Sequence, residues 1–528
     1  MTTTLTSRRR NFIVAFALVF LTTVLFLSSP LLNLKYKTTS HTPHPTEPPQ
    51  QTPEPTPEKP AKPDQPEAPV SRLHYLIPAS LPNLNFCLNL ASSAAARYPV
   101  PSILGFHGEG ILDAAATHLA KLRVIQRYLD SLPKEEDNDL VLIVDGYDII
   151  QQLPPVIMIE RYFDEIHQAN GRIARRFGIT VAEAHEKGLY NTILWGPDKA
   201  CFPYDENAPR CWAVPGSHLP PDIFGPNTGG GEMEMNDPKW LNSGTVIGPV
   251  NDMRLAVNAT LREIDATYDE NFDLKESDQF YVANVWARQE YYRSKQAVHG
   301  EEVKGGPPTR WIPTAREGDP QVEFHMGLDY ESSLFQPKAF NEKYYGYLQF
   351  NSSGLNADMS VDINNQGAKF VPYLIEMPAN VLSALGDLFE SISKAHAGTT
   401  LNDWIRSVDL GVNYVTGHIF PLWHCTGEKN DIELTYTKMW FFPYARSLIS
   451  ATVKAFQGDD LISTHLIDGR KWAPKNRYPD KNTLNDTLGG AWTDLQGSEF
   501  VQWELLCGEH SEALFRGEST PVSDGEHH

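Results

Sequence analysis

In "VLIVDGYDII" (residues 141–150) two aspartates, Asp145 and Asp148, stand three residues apart behind a wholly apolar run. If that run is a buried strand, both carboxylates lie at its carboxyl end, where open α/β sheets bind their ligands. Two carboxylates so placed can hold a hard divalent ion while leaving positions open for a diphosphate. Such an ion would neutralise the charge that builds on a departing nucleoside diphosphate, a Lewis-acid role. The plainer alternative is an acidic turn in which Asp145 caps the following segment, because Asp-Gly is itself a turn dipeptide.

Three later segments add chemistry of the same kind. "WLNSGTVIG" (240–248) sets Asn242, Ser243 and Gly244 together, where a backbone can approach a ligand closely. "ESDQFYV" (276–282) opens a helix-like run with Asp278 and Gln279 in its first turn, a position that the helix dipole stabilises for an acid whatever its function. "HCTGEKND" (424–431) carries His424, Gly427 and Lys429. A histidine can join two carboxylates on a transition ion such as manganese, and a lysine can meet phosphate. Each fragment alone is more often scaffold than site.

Their order is more specific than any one of them. "VDGYDI", "LNSGTVIG", "SDQFYV", "LDYESSLFQ" (328–336) and "HCTGEK" follow one another along the chain. This series resembles the glycosyltransferase domain of the procollagen lysyl hydroxylase and collagen glycosyltransferase group, over residues 72–430 with insertions. The resemblance implies a GT-A fold (Rossmann-like, a mostly parallel sheet flanked by helices) and a UDP-hexose donor. It implies manganese, or magnesium, held by Asp145, Asp148 and His424. It offers Lys121, on the helix before the first motif, and Lys429 as donor and diphosphate contacts, with Asn242, Ser243 and Gly427 beside them. Asp278 would contact the sugar or assist catalysis, and the resembled family retains anomeric configuration. Two departures bear on the ligands. "ILWGPDKACFP" replaces the family's small-residue-plus-acid stretch, which leaves Asp198 as an uncertain equivalent. The span before "HCTGEK" is longer than expected, so His325 in "FHMGLDY" competes with His424, which the following glycine and lysine favour. No lysyl hydroxylase domain follows, and no H-x-D iron-binding motif occurs after residue 430.

These residues need a scaffold to bring them together. "DLVLIV" is a continuous apolar run bounded by charge, the mark of a strand buried on both faces. "RLHYLIPAS", "YNTILWGPD" and "WLNSGTVIGPV" also read as strands. Leu119, Leu122, Ile125, Leu129 and Leu132 recur at helical spacing over 113–132, and "VIMIERYFDEIHQANGRIARRF" and "VNDMRLAVNATLREIDATY" read as further helices. Strands alternating with helices predict an α/β body with a mostly parallel sheet. Beyond residue 300 the reading is a β-hairpin from "YYGYLQFNSS" and "ADMSVDINN", a helix in "ANVLSALGDLFESISKAHAG", and a loop in "PLWHCTGEKNDIEL". Residues 72–435 are expected as the glycosyltransferase domain and 436–528 as an extension with a disordered acidic tail.

The N-terminal region suggests where such a body resides. Phe12–Leu32 carries no charge and matches the roughly 20 residues that a spanning helix needs. Arg8, Arg9 and Arg10 precede it, which by the positive-inside rule leaves residues 1–11 cytosolic and 12–34 as a signal anchor. A cleaved signal peptide is the alternative. Residues 35–71, rich in Pro, Thr, Glu and Lys, favour extended conformations and cannot form a core, so they read as a stem. The body would then be lumenal, in the Golgi or the ER. Sequons at Asn258, Asn351 and Asn485 agree with this, though the pattern is short. Of five cysteines, Cys201 and Cys211 flank a Pro-rich loop and could pair in an oxidising lumen, and the odd count leaves at least one thiol free. The formal net charge of -21 argues against nucleic acid as a partner. The expected partners are a nucleotide-sugar donor, a glycan or glycoprotein acceptor, and the membrane. A catalytically silent scaffold and a membrane-anchored glycoside hydrolase are the alternatives, the latter needing a carboxylate spacing that sequence does not reveal.

Overall fold

Five aliphatic residues in a row have no polar face to turn to water, and Leu140–Val144 (β3) is buried throughout. Val70–Pro78 (β1) and Ser102–Leu104 (β2) precede it in the chain, and the three run parallel in the order β2–β1–β3. After β3 come Ile149–Gln151 (β4), Ile193–Asp198 (β5), Trp240–Pro249 (β6) and Met326–Leu328 (β7). β6 inserts antiparallel between β3 and β5, and β7 adds parallel to β5. The result is α/β and Rossmann-like, with a mixed, mostly parallel central sheet flanked by helices. The computed structural model describes residues 68–518 apart from 115, 298–310, 318–321, 365, 397, 485 and 495–497.

Successive side chains of a strand point to opposite faces, and each face of the sheet has its own core. Tyr75 and Ile77 of β1, with Leu142 and Val144 of β3, pack under Leu84–Ala95 (α1) and Pro155–Phe177 (α3). Leu76, Val141 and Ile143 face the other way, toward Ala120–Ser131 (α2), Val250–Thr267 (α4) and Asp278–Gln296 (α5). Ala379–Ser391 (α6) and Ala445–Gln457 (α7) join the first of these layers. The helix ends follow local rules: Asn83 Oδ1 accepts from Phe86 N at 2.9 Å ahead of α1, and Gly178 (φ 65°) closes α3 in the left-handed conformation.

The second half departs from the sequence reading in three ways. Phe335–Pro337 (β8), Tyr345–Gln349 (β9), Asn356–Met359 (β10), Tyr373–Glu376 (β11), Asp409–Asn413 (β12) and Leu422–His424 (β13) are all short. The expected hairpin does not form: β9 pairs with β12, and β10 with β11. The segment expected as a loop contains β13, the middle strand of a small sheet ordered β4–β13–β8. Residues after 436 are not appended to the domain. Ser463–Ile467 (β14), Arg470–Pro474 (β15), Gly490–Thr493 (β16) and Phe500–Gln502 (β17) belong to the central sheet, with β15 parallel to β1 and β16 parallel to β2. A disulfide joins Cys87 to Cys507, a second joins Cys201 to Cys211, and Cys425 is free and buried.

The expected anchor 12–34, the stem up to residue 67, Asn485 and the tail from 519 lie outside the described residues. No helix among the described residues is long and apolar enough to cross a membrane.

Candidate metal centre

Three pairings assemble the centre. Because β6 runs antiparallel to β3, its first residues lie beside the carboxyl end of β3, and Asp145 N donates to Gly244 O at 2.8 Å. The β5–β6 register shifts between Trp195, opposite Val246, and Gly196, opposite Asn242, so the chain bulges at 243–245 next to Asp145. In the small sheet, His424 of β13 lies opposite Ile149 of β4, and Cys425 N donates to Asp148 O at 2.8 Å. A histidine 276 positions away is thereby set against the second aspartate, with His424 Nε2 at 3.1 Å from Asp148 Oδ2. Finally, α2 and α5 each deliver a side chain from the first turn, Lys121 and Asp278.

Lys121 Nζ lies 2.6 Å from Asp145 Oδ1 and 2.8 Å from Asp278 Oδ2, and donates to Ser243 O at 2.9 Å. Lys429 Nζ bonds Asp148 Oδ2 and donates to Cys425 O at 2.8 Å. The two lysines differ in hold. Lys429 is 45 % exposed, and a contact of that kind is worth about 0–1 kcal/mol. Lys121, 15 % exposed between two carboxylates, is part of the frame.

One donor atom each from Asp145, Asp148 and His424 lies within 4.8 Å of the other two. Two observations show that this set fits a divalent ion. Asp148 Oδ1 is buried without a hydrogen-bond partner, a costly state for a carboxylate oxygen that a cation would relieve. Position 244 is a glycine whose absent Cβ would intrude on both His424 and Asp145. Two carboxylates and one imidazole suit manganese or magnesium bound through oxygen, with manganese the better match to the nitrogen.

The electrostatics divide the two aspartates. Burial pushes the Asp145 carboxyl up, and the negative charges of Asp148 and Asp278 add to this against the pull of Lys121. Burial also works on Asp148, but His424 and Lys429 outweigh it and hold that carboxyl well below its ordinary range. Asp278 is likewise held low against burial, chiefly by Lys121. Asp198 is pushed up to about 6 by burial, although Ala200 N and Asn242 Nδ2 approach it.

A cleft of about 660 Å³ opens onto the centre, walled by the loop after β1 (Ala79–Asn83), by His118 and Lys121, and by Asp145, Asp148, Asp278 and Lys429. Asn242 and Ser243 are buried behind it. Asn242 Oδ1 accepts from Gly244 N at 2.9 Å, so this side chain shapes the bulge from behind the cleft. Gly427 (φ 75°) makes the left-handed turn between His424 and Lys429 that lets both reach Asp148. His325 is placed elsewhere: its ring stacks on Tyr190 at 4.0 Å between centroids, and its Nδ1 lies 3.1 Å from Tyr190 O.

Asn89 was not foreseen. From within α1 its Nδ2 donates to Asp145 O at 2.9 Å and also reaches Gly146 O, fixing the turn between the aspartates. A buried asparagine inside an apolar helix segment, "NFCLNLASS", was the only hint of it in the sequence.

Fold and centre together define a Rossmann-like α/β protein with a two-aspartate, one-histidine centre at the carboxyl end of a sheet strand. Comparison with known proteins adds no relative: no protein-family model matches the chain, and no curated protein matches it.

Proposed function

We propose that this protein is a metal-dependent glycosyltransferase with the GT-A form of the Rossmann-like fold, moving a hexose from a UDP-sugar to a glycan or glycoprotein acceptor. One observation carries the reading: Asp145, Asp148 and His424 converge beside a cleft that also presents Lys121, Asp278 and Lys429. The volume of about 660 Å³ falls within the range of small-molecule sites.

Asp145, Asp148 and His424 would hold the ion. A manganese or magnesium ion held there would supply Lewis-acid charge neutralisation to a departing diphosphate. Lys429, 45 % exposed and only weakly held by Asp148, would offer its ammonium to the diphosphate. Lys121 sits between Asp145 and Asp278 and bonds both, holding the two carboxylates in place. Asp278, at the first turn of α5, accepts hydrogen bonds from hydroxyls of the donor hexose and orients it. The loop after β1 covers the nucleoside. Both disulfides and the exposed sequon at Asn351 suit an oxidising, glycosylating lumen, in keeping with a Golgi or ER location.

Turnover and binding test this directly. Release of UDP from UDP-hexoses is expected with manganese and not with chelator, and Asp145→Ala and Asp148→Ala should each abolish it. No metal-dependent turnover in the wild-type protein overturns the enzyme reading. Thermal stabilisation by GDP with manganese, but not by UDP, would assign a different donor class.

A second reading has one observation in its favour. Each aspartate already faces a lysine ammonium, and a centre neutralised in this way suits a nucleotide-binding protein without transfer activity. It predicts that UDP stabilises the protein equally with and without manganese.

A further inference from the structure

We infer that His74, Glu136 and Asp139 form a second divalent-metal site, of zinc class, at the end of the sheet opposite the Asp145 centre. The donor atoms of the three residues lie within 4.8 Å of one another. β1 and β3 run parallel, Asp139 immediately precedes β3 and Asp145 immediately follows it. Six residues of extended chain put the two centres about 20 Å apart.

Distances argue for a shared ion. His74 is fully buried, and its Nδ1 lies 2.9 Å from the Tyr128 hydroxyl, which fixes the ring. Nε2 then faces Glu136 Oε2 at 3.6 Å and Asp139 Oδ2 at 3.7 Å. Neither Nε2 nor Asp139 Oδ2 has a hydrogen-bond partner, although both are buried. The separations exceed the ~2.7–3.2 Å of a direct hydrogen bond, and they are too small for a bridging water, which holds its partners roughly 4.5 Å apart. They suit two donors on one cation. Zinc binds nitrogen and carboxylate oxygen at about 2.0–2.2 Å, and a tetrahedral angle then separates neighbouring donors by roughly 3.4 Å.

The surroundings are those of held ligands. Tyr128 on Nδ1, and Arg72 N donating to Asp139 Oδ1 at 2.8 Å, orient the imidazole and one carboxylate from behind. One nitrogen and two carboxylates favour zinc or manganese over calcium, which takes oxygen alone. Lys475 Nζ donates to both oxygens of Glu136, at 2.5 and 2.7 Å, so Oε2 is shared between an ammonium and the ion. Since Lys475 follows β15 directly, the site ties the C-terminal segment to the start of β1 and β3. A cavity of about 470 Å³ lined by Tyr128 and Lys475 lies on the far side of these two supporting residues.

The full chain with Asp145→Ala and Asp148→Ala, which empties the first centre, isolates this site. After exposure to zinc and desalting it should retain an equivalent of zinc per chain by elemental analysis. Chelation should lower its thermal midpoint by several degrees, and added zinc should restore it. His74→Gln or Asp139→Asn in that background should lose both the zinc and the response. Retention of no zinc by the parent overturns the inference, and so does retention by the His74→Gln chain equal to its parent's. The parent measurement decides even if His74→Gln fails to fold. Neither result bears on the proposed transfer activity, which is read at the other centre.

Discussion

A methyl group at position 244 would sit 2.2 Å from His424 Cε1, 2.7 Å from its Nε2 and 2.8 Å from Asp145 Oδ2. Overpacking of this kind costs about 1–3 kcal/mol, and here it falls on two of the three proposed ion ligands. Gly244→Ala is therefore expected to keep the fold, by circular dichroism, while manganese affinity drops at least about tenfold in titration calorimetry. Unchanged affinity would mean that the ion lies elsewhere. Glu165 gives a second test at this scale. Burial, with Asp329 and Glu331 nearby, pushes its carboxyl up to about 7 against the pull of Arg172. The folded protein thus binds a proton that the unfolded chain releases near pH ~4.5. Its contribution to stability is full below that value and is lost as pH rises through about 7, an effect on the order of 3 kcal/mol. Urea unfolding across pH 4.5–8 should show this decline, and Glu165→Gln should flatten it. Legibility in sequence divides along the same lines. Asp145, Asp148 and Lys429 stood out by spacing. The choice of His424 over His325, favoured in sequence by the glycine and lysine that follow it, is made in the structure by which histidine β13 carries to Asp148 and which is engaged by Tyr190.

Elements whose partners are written into their own periodicity were readable, and elements made by distant partners were not. Leu140–Val144 and Pro155–Phe177 follow from apolar runs and helical spacing. β13 has three residues after a proline and no local pattern, yet β4 and β8 flank it on either side. The first turn of the helix expected from residue 113 also moved: α2 begins at Ala120, so Lys121 sits at its mouth instead of midway along it. The start of α5 can be tested in the same terms. Ser277 Oγ accepts from Phe280 N at 3.3 Å and sets Asp278 as the first helical residue. Ser277→Ala should cost about 1 kcal/mol, seen as a lower thermal midpoint, and should weaken donor-sugar binding more than UDP binding. Equal loss for both ligands would place Asp278 away from the hexose.

At the scale of the whole molecule, the C-terminal residues close a circle with the N-terminal ones. The Cys87–Cys507 bond spans 420 residues, and removing so long a crosslink is expected to cost about 3–5 kcal/mol. Cys507→Ser should lower the unfolding midpoint accordingly, while a chain ending at residue 435 should not fold, as judged by proteolysis. A stable, protease-resistant fragment would show that the last strands are dispensable. Nothing local in "TLNDTLGGAWTDLQGSEFVQWELL" announces membership of a sheet whose first strand lies some four hundred residues earlier, which is why the tail read as an extension.

That arrangement has a consequence in time. Lys471 pairs with Val70, and at synthesis rates of about 5–20 residues per second the roughly 400 residues between them take on the order of 20–80 s to emerge. Through that interval the start of β1 waits with one edge unpaired, the condition in which strands recruit wrong partners. Newly made chains of this protein are therefore exposed to misassembly until β15 has emerged to pair with β1.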